Sequence, residues 1–319
     1  MKRIVTVTLN PAVDQTAAVP NFCLNAVNRV AWAQAHAGGK GVNVAAFLAD
    51  YFFSRSAYEI NSISATGFLG FANVDTFEQL FEQKGISNHF VHLPGKTRVN
   101  IKVIDEVQDQ VTDINFPGIT PQARDLKTLA DAIARLTLVH DWFIFSGSLP
   151  PGLAPTFYHD LIKPLKEQGK HIVLDTSGEA LQHALLAKPN IIKPNLEELS
   201  AVLDQPLTDK AEIVSAARQL IDTGIETVVV SMGAKGALFV TAESALHAYA
   251  GPPKIKSTVG AGDAMVAGIV AAMSEGQTLP DCARLATAFS ITALGQLGAY
   301  FPPETNWEKI AARVSISSL

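Results

Sequence analysis

Two glycines and an aspartate at the head of an apolar run carry the clearest chemistry in the chain. Val259-Gly260-Ala261-Gly262-Asp263 leads directly into Ala264-Met265-Val266-Ala267-Gly268-Ile269-Val270. The glycines let the backbone turn tightly and approach a ligand, and the first-turn N–H groups of a helix have no intrahelical partner. The helix dipole adds about half a positive charge at that end, which suits a phosphate. Asp263 in the same turn presents a carboxylate to an incoming hydroxyl. The chemistry is transfer of a phosphoryl group to an alcohol, with Gly260, Ala261 and Gly262 as the anion-binding amides and Asp263 as the proton acceptor. Taken alone, the segment is also an ordinary helix start, where an aspartate cap contributes about 1 kcal/mol. Because a helix N-terminus favours the ionised carboxylate, Asp263 is expected to be a weak base, which suffices when the proton moves late in a loose transition state.

The common nucleotide fingerprints do not apply. Met265 stands where a dinucleotide-binding motif needs its third glycine or alanine, and Gly39-Lys40 is followed by Gly41 where a P-loop needs serine or threonine.

Four further segments can touch ligands. Gly38-Gly39-Lys40-Gly41-Val42-Asn43 is a second glycine-rich turn entering a helix, with Lys40 offering charge and Asn43 hydrogen bonds to hydroxyls. A flexible turn with a surface lysine explains it equally. Asp14 follows the first strand as an acceptor for sugar hydroxyls, or as a plain loop residue. Lys193-Pro194-Asn195-Leu196-Glu197-Glu198 places Asn195 and Glu198 three apart at a helix start. That is a capping box, and also a pair able to organise water around Mg2+. Ser231-Met232-Gly233-Ala234-Lys235-Gly236 reads as a strand-end turn that admits nucleotide phosphates or ribose, or as a hairpin turn.

The elements that must position these residues alternate along the chain. Apolar runs at Phe143–Phe145, Ile172–Asp175, Ile191–Lys193 and Val228–Ser231 suit strands covered on both faces, with crossover helices over Ala123–Leu138 and Asp209–Thr223. An α/β fold with a mainly parallel, doubly wound sheet follows, and its ligands belong at the carboxyl ends of the strands, where Ser146, Asp175, Lys193 and Ser231 stand. Two segments, 12–33 and 94–116, instead alternate with period 2 and form a small separate sheet. Within Thr97–Val103 this puts Arg98, Asn100 and Lys102 on one polar, cationic face, which is either an ordinary solvated strand face or, through Arg98 and Lys102, the seat of a substrate phosphate.

Composition bounds the rest. The 319 residues are 48% hydrophobic and 17% charged with a net charge of −5, which fits one folded domain and argues against a nucleic-acid binder. No window approaches the roughly 20 apolar residues a membrane span needs. Cys23 and Cys282 lack metal-ligand spacing, and a cytoplasmic setting with reduced thiols is the expectation.

Taken together, Gly38-Gly39-Lys40-Gly41-x-Asn43, Lys193-Pro194-Asn195-x-x-Glu198 and Thr258-Val259-Gly260-Ala261-Gly262-Asp263 resemble the ribokinase-like (pfkB) carbohydrate kinases over nearly the whole chain. Thr8–Asp14, Thr97–Lys102, Val111–Phe116 and Ser146–Pro150 place the resemblance among members acting on ketohexose phosphates. The resemblance implies a three-layer αβα domain over 1–319 whose small sheet is a lid and a homodimer contact. It implies ATP-dependent phosphorylation of D-fructose 1-phosphate at the 6-hydroxyl, with tagatose 6-phosphate or fructose 6-phosphate as alternatives, or a non-catalytic sugar-phosphate-binding regulator. Asp263 would be the base. Asp14, Gly38, Gly39, Lys40, Asn43, Arg98, Asn100, Lys102 and Ser146 would hold the sugar phosphate. Lys193, Asn195, Ser231, Gly233, Gly236 and Thr258 would contact ATP, and Asn195 and Glu198 would hold Mg2+ through water. Relatives often bind a monovalent cation, K+, beside the segment corresponding to Leu294–Ala299, which carries no distinctive motif here.

Overall fold

The computed structural model describes residues 3–55, 62–251 and 260–319. The first half of the chain forms β1 (Ile4–Thr8), β2 (Ala12–Ala18), β3 (Trp32–Gly38), α1 (Lys40–Ser54), β4 (Ile63–Gly70), α2 (Asp75–Lys84), β5 (Ser87–Asn88), β6 (Val91–Leu93), β7 (Val99–Asp105), β8 (Gln110–Ile114), α3 (Ala123–Thr137) and β9 (Trp142–Ser146). The second half continues with α4 (Phe157–Glu167), β10 (His171–Asp175), α5 (Gly178–Leu185), β11 (Ile191–Ile192), α6 (Leu196–Leu203), α7 (Lys210–Asp222), β12 (Thr227–Ser231), β13 (Ala237–Val240), β14 (Ala245–Tyr249), α8 (Ala261–Ser274), α9 (Leu279–Ala293), α10 (Trp307–Ala311) and β15 (Ser315–Ser318).

The main sheet has the order β15-β14-β13-β12-β11-β10-β9-β1-β4-β5, with β6 also on β4. It is parallel from β12 to β5 and antiparallel from β12 through β15. Each central strand feeds two cores, because successive side chains leave opposite faces. Ile4, Ile144, Val173, Val229 and Phe239 pack with α1, α8 and α9, whereas Val5, Phe143, Phe145, Leu174, Val228 and Val230 pack with α3, α4 and α7. The result is three layers, helices over both faces of the sheet. Among the described residues no helix is long and apolar enough to cross a membrane.

A second sheet, β3-β2-β7-β8, stands apart. The alternation read across 12–33 holds only as far as Ala18 and resumes at Trp32. Pro20 and the left-handed backbone at Asn21 and Asn25 break the strand between them.

One glycine of the main sheet is set by close approach. Gly67 has φ +140°, and a Cβ there would lie 1.8 Å from the Thr8 carbonyl oxygen on the paired strand. Gly67→Ala is expected to cost roughly 3 kcal/mol or more through backbone strain and overpacking, read as a drop in the urea midpoint with unchanged slope.

Candidate active site

The carboxyl ends of β1, β9 and β10, the starts of α1 and α8, and the inner face of the small sheet enclose one cavity of about 500 Å³. Parallel strands all deliver their ends to one edge, so residues far apart in sequence converge there. From the main body come Asn10, Lys40, Asn43, Gly147, Asp175, Lys193 and Asp263, and from the small sheet Asp14, His36, Arg98, Asn100, Lys102 and Asp113.

The two helices whose starts reach the cavity both begin at a glycine with positive φ. Gly39 caps α1 with φ 109° and Gly260 caps α8 with φ 83°, each without a side-chain cap. By contrast, α6, α7, α9 and α10 are closed by Asn195, Asp209, Thr278 and Asn306. Open first-turn amides at the cavity are donors free to meet an anion.

Asp263, in the first turn of α8, is only 7% exposed, and its Oδ2 accepts a hydrogen bond of 2.8 Å from Asn43 Nδ2. Burial pushes the carboxyl up to about 6, with the Asp175 charge adding to it, while Lys40, Asn43 and Lys193 act in the opposite direction. Desolvation thus holds this carboxyl above the ordinary aspartate range, the opposite of the depression expected for a carboxylate at a helix N-terminus.

Beneath it lies a charged triad. Asp175 Oδ1 accepts from Lys40 Nζ at 3.3 Å and from Lys193 Nζ at 3.3 Å. Burial would raise the Asp175 carboxyl, but the two ammonium groups outweigh it and hold the group below the usual aspartate range. Burial likewise works against the Lys40 charge, yet Asp175, Asp263 and Glu198 hold its ammonium above the usual lysine range.

Across the cavity, register sets the small sheet's polar face. Asp14 on β2 pairs with Asn100 on β7, and Asn100 Nδ2 donates to Asp14 Oδ1 at 3.1 Å. Burial raises the Asp14 carboxyl against the pull of Asn100 and Arg98. Lys102 and Asp113 are cross-strand partners, joined at 2.6 Å. Arg98 donates to the carbonyls of Asn10 at 2.8 Å, Pro11 at 3.3 Å and Phe116 at 3.0 Å, tying the small sheet to the turn after β1.

Of the residues singled out from the sequence, Asp14, Gly39, Lys40, Asn43, Arg98, Asn100, Lys102, Lys193, Gly260, Gly262 and Asp263 line this cavity. Ala261 sits between two of them on the helix turn, and Gly38 makes room for Asp14, whose Oδ2 would lie 2.1 Å from a Cβ there. Ser146 is fully buried and does not line the cavity, because it ends a central strand covered on both faces; the chain then turns at Gly147, φ 102°, and presents Ser148 instead. Asn195 and Glu198 lie outside the lining and form the capping box, Asn195 N to Glu198 Oε2 at 2.9 Å and Glu198 N to Asn195 Oδ1 at 2.7 Å. Ser231 bridges to Asn195 along the same edge, and Gly233 and Gly236 form the turn of the β12–β13 hairpin. Thr258 lies outside the described residues. Sequence reasoning missed Asn10, His36 and Asp113 as cavity residues, while Leu297-Gly298-Ala299, noted only for its correspondence to a cation-binding segment of relatives, also lines the cavity. It noted Asp175 as a strand-end polar group without giving it a role, and that strand-end position was the signal available.

The chain is similar to known proteins along nearly its whole length. The pattern of the pfkB family carbohydrate kinases matches residues 2–306. The chain is 45% identical over 318 residues to a 1-phosphofructokinase of Rhodobacter capsulatus, covering 99% of this chain and 98% of that one. Phosphofructokinase-2 from Escherichia coli in complex with substrates and products superposes with a TM-score of 0.88 at 29% identity, over 97% of this chain and 98% of that one. The tetrameric inhibited form of the same enzyme gives 0.86 at 29% identity, over 98% and 99%.

Proposed function

The chain belongs to the pfkB family of carbohydrate kinases, and we propose that it transfers the γ-phosphoryl group of ATP to the 6-hydroxyl of D-fructose 1-phosphate, giving fructose 1,6-bisphosphate and ADP. One observation carries the reading: a buried carboxylate, Asp263, oriented by Asn43 in the first turn of a helix whose amides have no side-chain cap.

The sugar lies between the two sheets, with its hydroxyls on Asp14, Asn43 and Asn100 and its phosphate toward Arg98 and Lys102. The 6-hydroxyl faces Asp263. As the bond from O6 to phosphorus forms, the bond from phosphorus to the oxygen leading to ADP breaks, and the hydroxyl proton passes to Asp263. The amides of Gly260, Ala261 and Gly262 meet the charge on the transferred group, and Lys193 that on the nucleotide phosphates. Ser231, Gly233 and Gly236 continue the nucleotide side of the edge.

Among the described residues no three carboxylates, imidazoles or thiols converge into a metal cage. Asn195 and Glu198, on the strand-end edge beside Ser231, would hold Mg2+ through its waters, and the ion would supply neutralisation of phosphate charge. Glu198 commits Oε2 to the cap, which leaves its other oxygen for this contact. Leu297–Ala299 line the cavity, so K+ near this segment would act on the site, and exchanging K+ for tetramethylammonium tests it.

The chain acts as one domain, its small sheet a lid over the substrate. The small sheet and the segment between its first two strands leave Leu24, Val27 and Val111 exposed at 78%, 89% and 58%, a surface suited to a second copy of the chain. Sedimentation is expected to show a dimer that charged substitutions at Val27 and Val111 dissociate.

ADP release measured with fructose 1-phosphate, fructose 6-phosphate and tagatose 6-phosphate tests the reading. We expect kcat/KM to be highest for fructose 1-phosphate by about tenfold or more, the discrimination a misplaced phosphate imposes. Preference for a 6-phosphate would reassign the substrate, and no ADP release with any sugar would overturn the kinase reading.

A further inference from the structure

Asp175 is the least accessible charge of the cavity, 1% exposed, yet it makes no hydrogen bond to Asp263 or to Asn43. It ends β10 in register with Ser146, and its own main chain helps shape the site, since its carbonyl accepts from the N–H of cavity-lining Gly147 at 2.9 Å. A carboxylate so buried stays ionised only when compensated, and two lysines from different elements, Lys40 of α1 and Lys193 after β11, converge on its single oxygen Oδ1. Its Oδ2 is buried with no hydrogen-bond partner among the described residues. One carboxylate therefore gathers two cations.

Lys40 and Asn43 stand three apart on α1 and share a helix face. Asn43 reaches Asp263, whereas Lys40 is drawn to Asp175. We propose that Asp175 is a positioning residue for the transfer: its Oδ1 holds the Lys40 and Lys193 ammonium groups as one cationic pair on the cavity floor and so keeps Lys40 off the Asp263 carboxylate. The proposal rests on the reading of Asp263 as proton acceptor. Without the Asp175 charge, two ammonium groups would face Asp263 as the nearest remaining anion, and Lys40, whose side chain is 39% exposed, has the freedom to swing onto it. An ion-paired Asp263 would be a weaker base and would no longer face the hydroxyl.

The groups bearing on Asp263 are Lys40 and Asn43 from α1, Asp175 from β10 and Lys193 after β11; the small sheet adds Asp14, His36, Arg98, Lys102 and Asp113 on the far wall. The Asp175 charge raises the Asp263 carboxyl and the lysines lower it, so removing Asp175 moves its titration in one definite direction, to lower pH.

The experiment compares Asp175→Asn with the unmodified chain in kcat and in the acid limb of the kcat/KM–pH profile, using the sugar phosphate the unmodified enzyme prefers. We expect kcat to fall about 10²-fold, the scale of a misplaced catalytic group, and the acid limb to shift to lower pH. In a Lys40→Met background the same substitution is expected to shift the limb less, leaving only the direct effect of the Asp175 charge once the part that runs through Lys40 is gone. A limb that stays in place or moves up in Asp175→Asn, or an equal shift with and without Lys40, would overturn the proposal. If Asp175→Asn does not fold, Lys40→Met alone decides: the limb is expected at higher pH, and an unmoved limb would show that the Lys40 charge does not reach Asp263. An unmodified chain that releases no ADP would instead sink the kinase reading itself, so the two failures are distinguishable.

Discussion

Asp263→Asn is expected to fold, to bind sugar phosphate with little change in KM, and to lose about 10² to 10⁴ in kcat, the span associated with removing a general base. The amide keeps the shape and a polar contact to Asn43 but cannot accept the hydroxyl proton. In the unmodified enzyme kcat/KM should rise with pH through about 6 as the Asp263 carboxyl ionises, and the residual activity of the variant should lack that limb. Stability moves the opposite way. The carboxyl is held above its ordinary 3.8, up to about 6, so the folded state favours the protonated form and loses stability as pH climbs through that interval. A variant with no carboxyl to ionise there should melt higher at neutral pH. Near-normal turnover would remove Asp263 from the mechanism, and lost turnover together with a lowered melting temperature would mean a damaged fold rather than a missing base.

Arg98→Ala should raise the KM for the sugar phosphate by about 30-fold, the equivalent of roughly 2 kcal/mol for a charge-assisted contact. A guanidinium has five N–H donors. Three serve the carbonyls of Asn10, Pro11 and Phe116, which leaves two for an anion in the cavity. Arg98 thus joins the small sheet to the turn after β1 and keeps donors for substrate, and burial holds its guanidinium below the usual arginine range despite Asp14. Arg98→Lys is expected to recover only part of the loss, because an ammonium cannot span three carbonyls and a phosphate in one plane. Steady-state kinetics in fructose 1-phosphate checks both variants, and an unchanged KM in Arg98→Ala would remove the phosphate contact.

How far the sequence reaches differs from element to element. The strands at Phe143–Phe145 and Ile172–Asp175 were legible because uninterrupted apolar runs mean burial on both faces, and the structure packs them between helices on each side. The face shared by Arg98, Asn100 and Lys102 follows from period 2 alone, and all three reach the cavity. The break between Ala18 and Trp32 was misread, since alternation by chance persists through a segment whose backbone turns left-handed at Asn21 and Asn25. The serine of this turn that reaches the cavity is Ser148, two residues beyond Ser146, because a strand-end hydroxyl points into the core or the cavity according to where the chain turns, and Gly147 turns it just after the strand.

The sequence by itself determined the alternation of strands and helices, the strand-end edge at which the cavity opens, and the two glycine-opened helix starts, because each is written in contiguous residues through periodicity and local backbone freedom. Only the tertiary structure decided that Lys40 and Lys193 meet on Asp175, that Arg98 ties the small sheet to Asn10, and that Asp263 titrates near 6 rather than as a strong acid. Those outcomes depend on charges brought together from distant parts of the chain and on the water excluded around them, and neither convergence nor desolvation is encoded in the spacing of neighbouring residues.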